Sequence, residues 1–546
     1  MTKSKLFHNI LIVIIPIILW NCASQSQPTG GPKDKEPPKL ISSIPEDQSL
    51  NYKEKLIELE FDEHIAVSKI KSELIITPRI DAEYDFKLRK DKLILEFEEN
   101  FKDSTTYTFN FRKSIKDITE GNSADVLLSF STGPFLDTGS IRGNINNLIT
   151  NQPMNNAVIG LYDDDDTLDL FIGMPLYFTK SNKKGDFIFR NVKNGNYYLY
   201  AFTDKNSNLI CQSKNEIYGF HNDPIRLDST INGMKLSLFH QNLLDFKIQS
   251  SRQNGKYFEI KFNKYITDYK VEPLDSTLKI IHHLVDQNKT LKIYNTFNIQ
   301  DSLALHITAT DSLNTIVTDT IYVKYQETAR NPDDFTFKIR NLIYDKSTSI
   351  LSSVIDFSKP VKSITQDSIY IRVDSLNSIH ADTTALFSFN DFKTSLVFEK
   401  EIPNTIIDSL KLKNMVFAFG SFVSIENDSS LNTVQKFTIN TPESLGIIQI
   451  SVETELESFT VELLSNKFEV IKTEKNIKNF SFMNVKPGEY KIRVFFDENN
   501  NGKWDAGNFY EKTQPEKVVI YIDPVEKINK ISVRANWELG PYIIKH

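Results

Sequence analysis

Residues 187–208 read FIFRNVKNGNYYLYAFTDKNSN, and residues 480–501 read FSFMNVKPGEYKIRVFFDENNN. The two segments align without a gap, and eleven of their twenty-two positions are identical, which indicates an internal repeat. Both alternate apolar and polar residues on either side of a glycine, the pattern of two adjacent strands joined by a turn. We predict a turn at Lys193-Asn194-Gly195 between two strands, with an inward face formed by Phe187, Phe189, Tyr197, Leu199 and Ala201.

A second repeat occurs three times. Residues 56–65 (LIELEFDEHI), 257–266 (YFEIKFNKYI) and 352–361 (SSVIDFSKPV) each contain an alternating strand that ends in Phe, then a polar pair and a return to an apolar residue. A strand closing into a turn explains this pattern without any ligand. Residues 127–133 (LLSFSTG) and 437–441 (FTINT) are predicted to close two of the units that contain it.

The two repeats alternate along the chain in the order A-B-A-A-B. No segment after residue 40 has a long helical apolar stripe, and the 38 Phe and 21 Tyr lie among period-two segments and Asn, Asp, Ser and Gly turns. We therefore predict an all-β chain, a tandem array of about five β-sandwich domains. The predicted domains are residues 40–135, 136–240, 241–330, 331–441 and 442–546.

The N-terminus has the pattern of an export signal. Lys3 and Lys5 precede the apolar run from Ile10 to Trp20, which is too short to cross a hydrocarbon core of roughly 30 Å. We predict a signal peptide over residues 1–21, cleaved before Cys22, which then carries the lipid. Trp20 and Asn21 replace the small residues usual before such a cysteine, so an ordinary secretory signal with a chance cysteine is the alternative.

Loss of the signal removes two lysines and no acidic residue, which takes the formal net charge from −7 to −9. An acidic chain without basic blocks is a poor ligand for nucleic acid or anionic lipid, so membrane attachment is expected to come from the acyl chains on Cys22. Residues 22–39 are rich in Pro, Gly and charge and are predicted to form a flexible tether. Cys211 is the only other cysteine, so a disulfide framework is excluded.

Several segments resemble known families. The first domain, with PPKLISSIP at residues 37–45, FDE at 61–63 and FSTG at 130–133, resembles the bacterial Ig-like domain of surface-layer proteins. The B units, with GDFIF from Gly185 and VKNGNYYL from Val192, resemble the carboxypeptidase regulatory-like, or transthyretin-like, β sandwich. Cys22-Ala23 followed by PTGGPKD at residues 28–34 is similar to Bacteroidota lipoproteins with Ig-like domains. The resemblance implies an outer-membrane lipoprotein, on either the cell surface or the periplasmic face of the membrane. It implies no enzymatic activity.

A calcium site is the clearest chemical hypothesis. Residues 497–505 read DENNNGKWD, which sets polar side chains at alternate positions around a glycine. This spacing lets oxygen ligands converge on Ca²⁺, with Lys503 contributing its backbone carbonyl. The predicted ligands are Asp497, Asn499, Asn501, Lys503 and Asp505. Asn508 stands where a bidentate Glu is expected, with Glu511 three residues on, so the site would be weak. A tight hairpin turn at Asn501-Gly502 is the alternative.

The other polar groups are weaker candidates for a functional site. Asp204, Asn206 and Asn208 form a weaker metal candidate, because Leu209 replaces the glycine. The run Asp163–Asp166 is predicted to be a solvated loop, and adjacent His282 and His283 would face opposite sides of a strand. No H-E-x-x-H, G-x-S-x-G or phosphate-cradling loop occurs, so we predict no enzyme and no small-molecule substrate.

Asp-Ser or Asp-Thr followed by an aliphatic residue or Thr occurs repeatedly and is similar to the periplasmic O-glycosylation acceptor of Bacteroidota, although ordinary turn chemistry also explains it. Examples begin at Asp103, Asp301, Asp367 and Asp408.

The functional prediction is a non-catalytic outer-membrane lipoprotein, with sandwiches strung outward from the anchor as a scaffold for a protein partner. A more specific version is an accessory subunit of an outer-membrane assembly or secretion complex. A surface adhesin or glycan-binding lipoprotein is the alternative. Because Trp20 lies in the signal, only Trp504 and Trp537 remain as sugar platforms, which weighs against glycan binding.

Overall fold

The computed structural model describes residues 34–164, 167–296, 302–326, 333–373 and 377–546. Nearly all of its regular structure is β strand, which confirms the predicted all-β class. The predicted signal peptide, Cys22 and residues 23–33 of the tether lie outside the described residues, as does the predicted boundary at residue 330. Over the ranges given above, no helix has the length and apolar character needed to cross a membrane.

Strands and helices are numbered here along the chain. The first domain contains β1 (Leu40–Ile44), β2 (Leu56–Phe61), β3 (Ile65–Val67), α1 (Ile70–Glu73), β4 (Ile75–Thr77), β5 (Tyr84–Arg89), β6 (Lys92–Phe97), β7 (Thr106–Asn110), β8 (Ile115–Asp117) and β9 (Leu127–Ser131). The second contains β10 (Gly139–Asn147), β11 (Val158–Asp163), β12 (Tyr177–Lys180), β13 (Asp186–Val192), β14 (Gly195–Phe202), β15 (Tyr218–Phe220), β16 (Ile225–Leu227) and β17 (Thr230–Leu238).

The third domain contains β18 (Ile248–Asn254), β19 (Tyr257–Phe262), β20 (Ile266–Pro273), β21 (His282–Val285), β22 (Thr290–Tyr294), β23 (Leu303–Asp311) and β24 (Ile316–Val323). The fourth contains β25 (Phe337–Asp345), β26 (Ile350–Phe357), β27 (Val361–Ile364), a 3₁₀ turn (Gln366–Ser368), β28 (Ile369–Arg372), β29 (Ser378–His380), β30 (Leu386–Phe389), β31 (Ser395–Glu401), α2 (Asn404–Ser409), β32 (Asn414–Phe417), β33 (Phe422–Ser424), β34 (Thr433–Lys436) and β35 (Thr438–Asn440).

The fifth domain begins after a 3₁₀ turn (Pro442–Ser444). It contains β36 (Gly446–Glu453), β37 (Phe459–Ser465), β38 (Val470–Lys475), β39 (Asn479–Val485), β40 (Gly488–Phe496), β41 (Val518–Ile520), β42 (Ile531–Val533) and β43 (Glu538–Lys545).

The three A repeats adopt the same backbone arrangement. After each strand, the apolar residue that follows the polar pair donates its N–H to a carbonyl of a facing turn: Ile65 to Lys90, Ile266 to Asn288 and Val361 to Lys393, each at 2.9 Å. The three accepting residues all have positive φ, between 49° and 62°. The predicted strand-and-turn interpretation of this repeat is therefore confirmed.

In two of the A repeats, the second residue of the predicted polar pair is a lysine with a role that the pattern did not reveal. Lys264 is buried and its Nζ lies 2.7 Å from the Asp311 carboxylate, whose side chain is fully buried. In the next A unit, Lys359 is also buried and contacts Glu426 and Asp428 at 2.7 and 2.6 Å. Burial opposes the charge of Lys359, but hydrogen bonds from its amine to the two carboxylates outweigh this and raise its pKa. Each lysine therefore ties the strand end to a distant loop.

The two B repeats share one topology. The second domain pairs β13-β10-β17 in one sheet and β12-β11-β14-β15 in the other, with β16 also on β14. The fifth domain repeats this order as β39-β36-β43 and β38-β37-β40-β41, with β42 on β40. In both, the first and last strands pair in parallel. The predicted inward face is confirmed, since the residues it contains are all buried: Phe187, Phe189, Tyr197, Leu199 and Ala201.

Each domain has its own hydrophobic core, but the cores are not separated along a straight row. A further buried cluster joins side chains of the second domain to Phe509 of the fifth. The fifth domain also contacts the third, through Lys503 and Asn314, and the fourth, through Asn484 and Asp345. The expectation of sandwiches strung outward in sequence order is therefore wrong: the chain folds back on itself.

Candidate functional site

The loop between β40 and β41, residues 497–517, contains the predicted calcium ligands. It is not a tight hairpin at Asn501-Gly502, so that alternative is wrong. Asp497 is 4% exposed and caps the loop from inside: its two carboxylate oxygens accept the N–H groups of Asn501 at 3.1 Å and Gly502 at 2.7 Å. Gly502 has a φ of 87°, which a glycine adopts without steric cost.

Glu516 is a second buried carboxylate in the loop, and sequence reasoning missed it. It accepts N–H groups from Glu498 at 2.8 Å, Asn499 at 3.1 Å and Asp505 at 2.8 Å. Burial raises the pKa of Glu516, and these three backbone hydrogen bonds partly offset that effect. Glu516 thus closes the loop from the side opposite Asp497.

The predicted ligands lie close together. The side-chain amides of Asn499 and Asn501 donate to Asp505 Oδ2 at 2.7 and 2.6 Å. The Lys503 side chain points away and reaches Asn314 of the third domain. Within the part of the chain that is described, no group of three His, Cys, Asp or Glu side chains is placed to hold a metal ion. Calcium binding by this mostly amide and carbonyl set stays a prediction.

Calcium binding has a direct test on the mature chain. At 10 mM CaCl₂, a site with a Kd of about 1 mM would stabilise the domain by about 1.4 kcal/mol and raise its unfolding midpoint by a few degrees. Asp505→Asn removes a predicted ligand and should abolish this increase, measured by calorimetric thermal unfolding. Glu511→Gln, at an exposed position of the same loop, is the matched control and should keep it. An equal response of both variants, or none in the unchanged chain, would reject the site.

The weaker candidate loop in the second domain has the same design. Asp204 accepts the N–H groups of Asn208 at 3.1 Å and Leu209 at 3.2 Å, while the Asn206 amide donates to Gln212 at 3.1 Å. A buried glutamate again closes the loop: Glu216 accepts N–H groups from Lys205 and Gln212. Glu216 and Glu516 lie at different distances from the repeat, so a gapless alignment does not detect them.

The tip of the loop in the fifth domain is a short hairpin that carries Phe509. Asn508 and Thr513 exchange backbone hydrogen bonds at 2.8 and 2.9 Å, with Phe509 between them. Gly507 precedes the hairpin with a φ of 68°, and a Cβ there would lie 2.4 Å from the Thr513 carbonyl oxygen. The close approach of the backbone therefore requires glycine at this position.

Phe509 inserts into an aromatic pocket on the outer face of the second domain. It is 1% exposed, although it belongs to a loop. Its ring centroid lies 4.9 Å from Phe171, 5.4 Å from Tyr200 and 5.2 Å from Phe220, each in an edge-to-face arrangement. Such aromatic pairs contribute about 0.5–1.5 kcal/mol each beyond the area they bury. We call this contact the Phe509 clasp.

Hydrogen bonds surround the clasp. The Gln514 amide donates to the Phe220 carbonyl at 2.8 Å, and the Gln241 amide donates to the Gly507 carbonyl at 2.5 Å. The Lys512 amine donates to the Tyr200 hydroxyl at 3.0 Å and lies 4.1 Å from the Phe509 ring centroid. The buried aromatic centre with a polar rim is the usual anatomy of a specific protein interface.

The remaining sequence-based sites are placed as follows. Cys22, Asp165, Asp166 and Asp301 lie outside the described residues; Asp163 ends β11. Cys211 is buried beside the clasp, and burial raises the pKa of its thiol. Glycosylation stays a prediction. Of the four example serines, Ser104, Ser302 and Ser409 are exposed and Ser368 is partly buried.

The two adjacent histidines face opposite ways, as predicted. His282 contacts the Tyr269 hydroxyl at 3.1 Å, whereas the ring of His283 stacks on Tyr294. Their different partners keep them from sharing one ion.

Comparisons with known proteins identify parts of this chain. Residues 34–132 match the bacterial Ig-like domain family, which confirms that part of the resemblance. Residues 439–513 match a family described as an uncharacterized protein conserved in bacteria. No curated protein matches the chain.

Among solved structures, three similar ones have low identity. The TIE protein of Bacillus anthracis is 9% identical, with 94% of this chain and 76% of that chain covered and a TM-score of 0.13. SGBP-B of a Bacteroides ovatus mixed-linkage glucan utilization locus, in complex with a mixed-linkage heptasaccharide, is 10% identical, with coverage of 64% and 88% and a TM-score of 0.18. The major pilin subunit of Bacillus cereus is 9% identical, with coverage of 75% and 99% and a TM-score of 0.13. These TM-scores are too low to support any functional argument.

Proposed function

We propose that this chain is a non-catalytic lipoprotein of the outer membrane that acts as a β-sandwich scaffold for a protein partner. The Phe509 clasp is the observation that carries the proposal. Because the fifth domain is held against the second, the outer strands and loops of these two domains are presented together although they lie far apart in sequence. A scaffold needs this property. The more specific form of the proposal is that the chain is an accessory subunit of an outer-membrane assembly or secretion complex.

Glycan binding, as in a surface adhesin, has less support from the aromatic residues. Trp504 is engaged internally: its indole N–H donates to the Glu516 carbonyl at 2.8 Å, and its ring lies 5.6 Å from that of Phe495. The Arg534 guanidinium lies 4.8 Å from the ring of Trp537, which leaves that ring partly covered. Trp504 is therefore not free to bind a sugar, and Trp537, which is 47% exposed, is partly covered.

Crosslinking in intact cells tests the scaffold proposal. A membrane-permeable crosslinker, purification of the chain and mass spectrometry should recover an outer-membrane protein in stoichiometric amount. A variant with Phe509→Ala should lose part of this yield if the partner contacts more than one domain. Recovery of glycan without protein would overturn the proposal in favour of the adhesin.

The lipid anchor is tested separately through its cysteine. Cells fed an alkyne fatty acid should label the chain, and Cys22→Ala should remove the label and release the protein from the membrane fraction. Because all of the acyl chains are expected on Cys22, this single substitution should abolish membrane anchoring completely. Cys211→Ala is the matched control, because that thiol is buried in the second domain and should not be acylated. Label that persists in Cys22→Ala would contradict the anchor.

A further inference from the structure

A cleft with a local excess of positive charge lies between the first and second domains. It encloses about 690 Å³, within the range of ligand sites in proteins. Five of its lining residues are cations and two are carboxylates, although the whole chain has a formal net charge of −7. The cations are Arg112, Lys113, Lys180, Lys183 and Lys184, and the carboxylates are Asp125 and Asp186.

Arg112 is only partly compensated by the protein. Its Nη2 donates to the neutral amide of Asn156 across the domain junction at 3.2 Å. Its Nη1 is buried without a hydrogen-bond partner, and the Glu73 carboxylate lies 3.8 Å from it, too far to accept a hydrogen bond. The nearest carboxylate oxygen, Glu73 Oε2, is itself buried without a hydrogen-bond partner. Glu73 therefore compensates Arg112 only through a long ion pair, and an anion that accepts a hydrogen bond from the cleft side of the guanidinium would stabilise it further.

Lys180, at the end of β12, adds a second cation. Burial and then repulsion from Arg112 lower the pKa of its amine, an effect that Asp204 and Glu73 partly offset. Within the described residues, no hydrogen bond contributes to the pKa of this amine, and the carboxylates of Asp204 and Glu73 act on it only through space. Two cations that repel each other across a cleft create a position where an anion lowers the energy of both.

The two carboxylates do not neutralise this charge. Asp186 accepts hydrogen bonds from the side-chain amides of Asn144 at 2.8 Å and Asn182 at 3.3 Å, and these hydrogen bonds lower its pKa. Asp125 is exposed at the other wall. Lys183 and Lys184 are exposed as well, so their charges are accessible from solvent.

An adjoining cavity extends the cleft toward less polar walls. It encloses about 370 Å³ and shares Asn110 and Asp125 with the basic part. Ile75, Leu127 and Ile188 are among its lining residues. The combined space accommodates more than a single ion, with an anionic group at one end and a less polar part at the other.

We propose that this cleft binds a phosphate monoester group, held mainly by Arg112 and Lys180 with Lys183 and Lys184 at the entrance. A phosphate monoester carries a charge of about −1.5 to −2 and three strong acceptor oxygens. It therefore matches an excess of three cations better than a single carboxylate does. The same chemistry is available from a soluble phosphorylated molecule or from an anionic lipid head group, and the adjoining cavity holds the remainder of the ligand.

Binding is measured by calorimetry on the mature full-length chain with two probes, glucose 6-phosphate and monomeric dioctanoyl phosphatidic acid. Glucose and dioctanoyl phosphatidylcholine are their matched non-binding counterparts. The double variant Arg112→Gln/Lys180→Gln should weaken binding of the phosphorylated probe about tenfold or more, since each hydrogen bond to a charged group contributes substantially. Arg226→Gln, at an exposed arginine of the same domain that pairs with Asp228, should leave binding unchanged.

The outcomes distinguish the two sources of the phosphate group and also test the proposal itself. Binding of both phosphorylated probes identifies the phosphate group as the recognised part, and binding of phosphatidic acid alone identifies a lipid head group. Because Arg112 also supports the domain junction, Lys183→Gln/Lys184→Gln provides a surface variant that keeps the fold; it should weaken binding several-fold. The proposal is overturned if neither probe binds, or if the double variant and Arg226→Gln bind with equal affinity.

Discussion

Replacement of Phe509 by alanine is expected to release the fifth domain from the second. Truncation of a buried phenylalanine costs about 3–5 kcal/mol, which is comparable to the whole stabilisation that one small contact between domains can provide. Hydrogen exchange at β15 and in residues 505–516 should rise by two orders of magnitude or more, because their protection depends on the clasp. Small-angle scattering should show a larger radius of gyration.

The neighbouring aromatic residue supplies the control. Tyr510 follows Phe509 in the same hairpin but is 63% exposed, so Tyr510→Ala should leave exchange at β15 nearly unchanged. The two sandwich cores do not include Phe509, and strands such as β10 and β36 should keep their protection in both variants. Equal effects of the two substitutions, or loss of protection throughout the fifth domain, would contradict the clasp.

Asp311→Ala is expected to destabilise the third domain by about 3–5 kcal/mol, because it leaves the buried Lys264 charge without a partner. Asp311 also accepts the N–H groups of Leu313 and Thr315 at 2.9 Å, so the turn after β23 is weakened as well. A loss of this size is a large part of the roughly 5–15 kcal/mol that stabilises a domain. Hydrogen exchange in β20 and β23 and thermolysin cleavage of this domain measure it.

A double-mutant cycle distinguishes the charge pair from general packing. Lys264→Met/Asp311→Leu replaces both partners with apolar groups and should recover much of the stability lost in the single variant. Lys270→Ala breaks the pair with Glu272 on the surface of the same domain, where both side chains are largely exposed, and should change stability by 1 kcal/mol at most. If the double variant is as unstable as Asp311→Ala, the pair is not the cause.

Strand alternation predicted the fold class because it is a local property. The period-two pattern of residues 187–202 correctly assigned Phe187 and Leu199 to the core, since side chains alternate between the two faces of a strand. The same rule places Tyr200 and Phe202 on the opposite face of β14 and does not say what covers that face. Both residues are buried in a cluster in which side chains of the second domain's own loops, such as Leu170, pack together with Phe509 of the fifth domain. The Phe509 ring contacts that of Tyr200 directly.

The candidate loop was only half visible in the sequence. Asp497, Asn499, Asn501 and Asp505 follow a spacing that places their side chains together, and the structure does bring them together. Glu516 closes the loop from a position that no short motif specifies, after the hairpin that carries Phe509. Its contribution depends on the return of the chain from that hairpin.

The sequence by itself determined the strands, their inward faces and the two repeats, because each depends on residues that are near neighbours along the chain. Only the tertiary structure decided which outer faces are covered, which lysines are buried and that the fifth domain returns to the second. These features depend on contacts between segments such as β14 and Phe509 that lie hundreds of residues apart. Their energies come from the burial and pairing of particular side chains, and no local periodicity records them.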